Sequence, residues 1–509
     1  MGCGPLRKPG DSDDGLAFDD DIGSVKRKSF RGGMGLAVSQ AGLIVLQIAS
    51  TVILARLLMP SDFGLAAMVA PLMVAIGVFS DLGLGQAVLQ RRDLTREHLS
   101  NMFWVSLAFH LALMLVFLAL TPLVGLLYGR PELSLAAAVY CSLFVFNGLG
   151  SLQRAVQIRR LQFARVGFIK LSATLFGLCV GIFIAVEWRT YWALIAIPIA
   201  GSIAGTMLSW LFSGWRPGLP DRKTDVRDMV GFGGNMATGR FLTYMAANAD
   251  SVMIGKAWGE VVLGYYDRAF RLMVAPTSLI TSPLSGMVPT VFARLIDRPE
   301  LYRRWVLGMM RLVLLAAVPG VIFAFVMAHL LIPLVYGDAW DPVIPIFQAF
   351  GVATLVRFQT IMIEWLYIAE GRGREFRTWA MFKTSVLIGS FAAGLPWGGL
   401  GVATAYAGAF LLLLLPFQVI TVTRWSYIKM SDIGRTFLFL LPGMVLAAAT
   451  LVALANVQGI SRWIALPMGL VLSYAIVWST AWLFPAGRHS FRLGLNVVRH
   501  YRSGETLDG

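Results

Sequence analysis

Residues 272–293, LMVAPTSLITSPLSGMVPTVFA, form a run of 22 residues without a charge between Arg271 and Arg294. A helix rises about 1.5 Å per residue, so this run covers the roughly 30 Å hydrocarbon core of a bilayer. Similar apolar runs recur from about Gly33 to Phe484. The chain has 509 residues, is 57% hydrophobic and 14% charged, and has a mean hydropathy of +0.70. Soluble domains average roughly 45–50% apolar residues. The sequence therefore predicts an all-α integral membrane protein with few residues left for a soluble domain.

Working outward, the charged or turn-forming interruptions divide the chain into fourteen spans: 34–57, 63–89, 99–128, 132–153, 166–187, 190–212, 229–255, 262–293, 306–335, 343–368, 378–396, 398–422, 436–456 and 463–484. Lysine and arginine test this division, because cytoplasmic loops hold them in excess. With the N-terminus inside, 34 of the 43 fall on the inward side and five on the outward side (Arg56, Arg130, Arg189, Lys256 and Arg462). The other four, Arg240, Arg268, Arg271 and Arg357, lie deeper within spans; Arg56, Lys170, Arg311 and Lys383, among the first or last six residues of a span, are counted with the side they border. One helix too many or too few would invert every later loop and erase the asymmetry. Fourteen helices with both termini cytoplasmic is the expected topology.

The third span ends TPLVGLLYG (residues 121–129) and the ninth ends IPLVYGDAW (residues 332–340). DFGLA (62–66) and VLGYY (262–266) echo each other across the same interval of six spans. An even interval preserves orientation, which points to a parallel repeat about an axis along the membrane normal. The expected organisation is a disordered cytoplasmic tail (1–32), a six-helix lobe (33–216), a second six-helix lobe (228–424), two further helices (434–484) and a basic cytoplasmic tail (485–509). A substrate site is expected between the lobes.

The formal net charge of +15 sits in short clusters between apolar runs. That pattern reports topology and excludes the basic domain of a nucleic-acid binder. Cys3, Cys141 and Cys179 have neither metal-ligand nor redox spacing. The N-terminal tail has no apolar core before residue 34, which speaks against a cleaved signal peptide. MGC is followed by Leu6 where a myristoylation signal wants Ser or Thr.

Ionisable groups in hydrocarbon cost several kcal/mol and usually face a cavity or a partner. Arg240 falls near mid-depth of the seventh span and is expected to line a cavity; Asp250, near its outer end, fits a solvated position as well as a functional one. Arg357 and Glu364 are seven residues apart on one face of the tenth span, too far apart to pair directly. Each needs water, substrate or a neighbouring helix, and cavity lining is the preferred reading. In the first lobe, Gln40, Gln47 and His110 are expected to make helix–helix hydrogen bonds, and Asp81 serves equally well in a salt bridge or in ion coupling. Asp267, Arg268 and Arg271 precede a run already long enough to span, which places them at the outer rim. Asp267 and Arg271 can pair across one turn, with Arg268 bordering the same face. The excess of cations calls for an anion, and the planar arginine fork suits phosphate.

No phosphate-binding G-x-x-x-x-G-K-[ST] loop, H-E-x-x-H, Cys/His cluster or G-x-S-x-G occurs, so transport without cofactor or catalytic chemistry is expected. LARLLMPSDFG (54–64), FSDLGLGQAVLQR (79–91), ADSVMIGKAWGEVVLGYYDRAFRL (249–272) and VPTVFARL (288–295) resemble the polysaccharide exporters of the multidrug/oligosaccharidyl-lipid/polysaccharide (MOP) superfamily, most closely the Wzx-type flippases. The resemblance implies a multi-pass protein of the bacterial inner membrane that flips an undecaprenyl-pyrophosphate-linked oligosaccharide by alternating access. It further implies exopolysaccharide, capsule or O-antigen assembly, alongside a polymerase and glycosyltransferases of the same pathway and with membrane lipid around the chain. By helix position, it assigns Arg240, Arg357, Arg268 and Arg271 to the pyrophosphate, and Asp250, Glu364, Asp267 and Asp81 to coupling or gating. The rival readings are a lipid II flippase, a drug/cation antiporter of the same superfamily, whose cavity should be acidic, and a membrane glycosyltransferase or polymerase, which needs catalytic carboxylates by a loop or a long periplasmic segment, neither of which the sequence shows.

Overall fold

A computed structural model describes residues 22–80, 95–220, 248–457 and 459–492. Those residues are helical, with no β-strand among them, and divide after Asn248 into two units. Among the described residues ten helical segments are long and apolar enough to cross a membrane. The expected spans 63–89 and 229–255 run partly into residues outside that set.

The first unit holds α1 (Ile22–Leu57), α2 (Pro60–Ser80), α3 (Arg96–Tyr128), α4 (Glu132–Arg159), α5 (Phe163–Trp188) and α6 (Trp192–Ser213). Small residues draw α5 and α6 together. A Cβ on Gly177 would meet the Ile197 carbonyl, and one on Gly181 the Ile197 side chain. Lipid is as apolar as leucine, so such close backbone approach, rather than burial from water, drives association here. Polar side chains tie α6 to α4: the Thr206 hydroxyl donates to the Phe146 carbonyl at 2.9 Å and the Trp210 indole to the Leu149 carbonyl at 2.9 Å. In α3, Pro122 leaves the Leu118 carbonyl without its helical donor, and Thr121 supplies one at 2.8 Å.

The second unit holds α7 (Ala249–Leu295), α8 (Pro299–Val326), α9 (Ala328–Val335), α10 (Val343–Ala369), α11 (Gly373–Gly394), α12 (Gly398–Gly408), α13 (Leu415–Val422), α14 (Met430–Leu438), α15 (Leu441–Ala455) and α16 (Arg462–Leu483). A π-helical stretch, Ala409–Leu414, joins α12 to α13. Among the described spanning segments α10 is the most enclosed, with 67% of its apolar window buried. The turn expected between the seventh and eighth spans is a single non-helical residue in α7, Gly259 at φ 79° and ψ −173°. Pro276, Pro283 and Pro289 all lie inside this helix, and its non-helical backbone falls at Gly259 rather than at the prolines.

The eleventh and twelfth spans divide at a 3-10 turn, Leu395–Trp397, followed by Gly398 at φ 69°. Two other expected spans are each two helices. The ninth breaks at Met327, and the thirteenth breaks before Pro442, whose ring cannot continue the hydrogen-bonded ladder. Both Tyr-Gly ends of the sequence echo are helix termini, with Gly129 at φ 66° and Gly337 at φ 101°. Pro319 frees the Leu315 carbonyl of α8, and the Trp478 indole of α16 donates to it at 3.0 Å. Ser473 and Tyr474 reach the carbonyls of Pro319 and Ala316 at 2.7 and 2.8 Å, stitching α16 along the same stretch. At the other end of α8, Arg303 grips Asp432 of α14 with two bonds of 2.9 and 2.6 Å.

Candidate functional site

Several ionisable and hydroxyl groups of the second unit meet among α7, α10, α11 and α12. Asp267 is 11% exposed and takes hydrogen bonds from both neighbouring arginines. Arg268 reaches it at 2.6 Å and Arg271 at 2.8 Å, so the pairing expected one turn away is present and Arg268 joins it. The two cations differ in cover, Arg268 being 14% exposed and Arg271 54%. On this turn one carboxylate thus faces two guanidinium groups.

Asp250 opens α7 and is 6% exposed. It accepts from the Tyr266 hydroxyl at 2.8 Å and from the Ser251 backbone N–H at 2.7 Å. Of its two expected positions, solvated or functional, the structure gives a covered one satisfied by hydroxyl and amide donors.

Tyr266 leads into an aromatic layer. Its ring lies 5.2 Å from Phe350, which lies 5.2 Å from Phe270 and 5.7 Å from Tyr406. Phe410 and Phe391 close on Tyr406 from α12's continuation and from α11. Half-buried Arg357 meets this layer at its edge and donates to the Tyr406 hydroxyl at 3.1 Å. Among the described residues Arg357 has no carboxylate within ion-pair distance. A phenol hydroxyl positions the guanidinium without neutralising it, which leaves the charge for an anion.

Glu364, two turns along α10, is held differently. Lys383 of α11 reaches its carboxylate at 2.8 Å and the Trp379 indole donates to the same oxygen at 2.9 Å. Of the three partners expected for it, water, substrate or a neighbouring helix, the structure supplies the helix. Lys383 and Tyr406 do not stand out in the sequence. Lys383 ends the basic cluster that begins at Arg372 and is counted with the inward charges near the start of the expected span 378–396, whereas α11 starts at Gly373 and carries it ten residues into the helix.

In the first unit His110 is fully buried and Nδ1 lies 2.6 Å from the Ser106 carbonyl one turn back, a contact within α3. Gln40 and Gln47 are uncovered within their unit and make no side-chain hydrogen bond among the described residues, where helix–helix hydrogen bonds are expected of them. Arg240 and Asp81 lie outside the described residues. Among the described residues no cluster of His, Cys, Asp and Glu has the arrangement of a metal site.

Residues 53–345 match a family model described as polysaccharide biosynthesis protein. The lipopolysaccharide biosynthesis protein WzxC of Escherichia coli is 24% identical over 373 residues, 73% of this chain and 76% of the relative. The succinoglycan biosynthesis transport protein ExoT of Rhizobium meliloti is 20% identical over 418 residues, covering 82% and 83% of the two chains. Among solved structures, the lipid II flippase MurJ aligns with a TM-score of 0.70 at 13% identity, over 88% of this chain and 98% of MurJ. An inward-facing multidrug resistance MATE transporter of the MOP superfamily aligns with a TM-score of 0.58 at 13% identity, over 74% and 94%. At these identities the structural likeness speaks for the fold.

Proposed function

Because this chain belongs to the polysaccharide biosynthesis protein family, we propose that it is a flippase for an undecaprenyl-pyrophosphate-linked oligosaccharide. In this reading the chain crosses the bacterial inner membrane fourteen times with both termini in the cytoplasm. It moves the substrate from the cytoplasmic to the periplasmic leaflet by alternating access. The family membership agrees with the Wzx-type motifs, and the fold likeness agrees with a MOP transporter.

Arg357 carries the reading. A guanidinium inside a spanning helix, oriented by Tyr406 and facing no carboxylate among the described residues, suits a phosphate-bearing substrate. Arg240 shares that task at mid-span. Arg268 and Arg271 hold the pyrophosphate late in transfer or form an outer gate, with Asp267 setting their net charge. Asp250, Glu364 and Asp81 are the groups for coupling or gating.

Purified protein in liposomes loaded with undecaprenyl-pyrophosphate oligosaccharide should expose the sugar on the opposite leaflet, and Arg357→Ala should reduce the rate at least tenfold. Transfer of lipid II in place of the oligosaccharide would redirect the assignment to cell-wall synthesis. Sugar joining by the purified protein would make it an enzyme instead.

A further inference from the structure

Five basic residues surround the connection between α4 and α5: Arg154, Arg159, Arg160, Arg165 and Lys170. The sequence counts them with the inward charges; the structure places all but Arg160 within helices, with Arg154 and Lys170 on the wall of one cavity. The cavity, of about 380 Å³, lies among α4, α5 and α6 of the first unit. That is within the roughly 300–1,000 Å³ typical of ligand sites.

Two observations mark it as more than a packing gap. Gln157 and Ser209 line it and are fully buried, yet the Gln157 Oε1 and the Ser209 Oγ have no hydrogen-bond partner. Buried polar atoms are rarely left so, and an occupant that hydrogen-bonds both resolves the deficit. The Gln157 Nε2, by contrast, is used, donating to the Ser209 carbonyl at 3.2 Å. Second, the helix leaves room for Arg154 to fold back: a Cβ on Gly150 would lie 3.0 Å from its Nη1. The rest of the wall is mixed, with Ile169 and Ile197 beside Asn147 and Thr174. Two cations, hydroxyl and amide groups and aliphatic side chains together match a phosphorylated headgroup with apolar chain attached.

We propose that this cavity binds the phosphate headgroup of a membrane lipid at the α4–α5 end of the first unit, with Arg154 and Lys170 as its charged contacts and Gln157 and Ser209 as its polar ones. The headgroup can come from a prenyl pyrophosphate or from a bulk anionic phospholipid. The proposal stands apart from the export reading, since its readout is equilibrium binding.

The test uses the full chain in phosphatidylcholine nanodiscs, titrated with farnesyl pyrophosphate and, separately, with phosphatidylglycerol, and read by native mass spectrometry. In the double variant Arg154→Gln, Lys170→Gln the Kd of at least one probe should rise tenfold or more, and in Gln157→Leu, which keeps the charge, several-fold. Weakening of farnesyl pyrophosphate alone identifies the prenyl source; weakening of phosphatidylglycerol alone identifies the phospholipid. Kd values within twofold of wild type for both probes in both variants overturn the proposal. If the double variant does not fold, Lys170→Gln is read by itself, since Lys170 is exposed and its removal leaves the packing intact.

Discussion

Arg357 and Glu364 stand on one face of α10 and are satisfied in opposite ways. The acid meets a lysine and an indole, and the base meets a phenol. The pair formed by Glu364 and Lys383 is partly covered, at 21% and 32% exposure, which places it between a surface bridge and a buried one. Its coupling energy should be about 1 kcal/mol, measurable as a double-mutant cycle on thermal unfolding of Glu364→Gln and Lys383→Met in detergent. Tyr406→Phe removes only the hydroxyl that orients Arg357 and keeps the aromatic layer, so it should leave the unfolding temperature near wild type while slowing transfer several-fold. Equal transfer by the two proteins would remove Tyr406 from the site. The charges themselves are legible in the sequence. Their partners are not, because Tyr406 is 49 residues from Arg357 and Lys383 is 19 from Glu364, and only the packing of α10 against α11 and α12 brings them together.

At the scale of elements, most helix boundaries follow from charges and turn residues. The expected spans 343–368 and 190–212 differ by no more than two residues from α10 and α6. The divided spans differ because a proline or a local break interrupts a run that is apolar on both sides, and hydropathy does not register such a break. Contacts between helices follow backbone chemistry instead. Pro319 exposes the Leu315 carbonyl, and Trp478 answers it. Trp478→Phe keeps the ring and loses the donor, which should lower stability by about 1 kcal/mol; an unchanged unfolding temperature would mean that carbonyl has no need of a donor. The α5–α6 contact should respond to volume. Gly181→Leu must push Ile197 aside, and a loss of roughly 2 kcal/mol or more is expected from overpacking, read as a lower unfolding temperature.

For the whole molecule, topology is the quantity that the distribution of lysine and arginine predicts and that labelling can measure. Single cysteines introduced into the loops near Arg130 and Arg372 should be modified from opposite sides of the membrane, and both ends of the chain should be reached from the cytoplasm. A terminus labelled from outside would undo the fourteen-span count. Arg240→Ala should abolish polymer export in cells while the protein reaches the membrane in normal amount, and normal export would take Arg240 out of the mechanism.

The break at Gly259 imposes a constraint of another kind. A methyl group built there meets nothing within 4 Å, while the φ of 79° with a ψ near 180° belongs to a region open essentially to glycine alone. Position 259 is therefore indifferent to bulk and sensitive to handedness. Alanine and leucine should each cost about 1–3 kcal/mol there and differ little from one another, whereas the same two substitutions at Gly181 should diverge with side-chain size. One glycine is reserved by chirality and the other by volume.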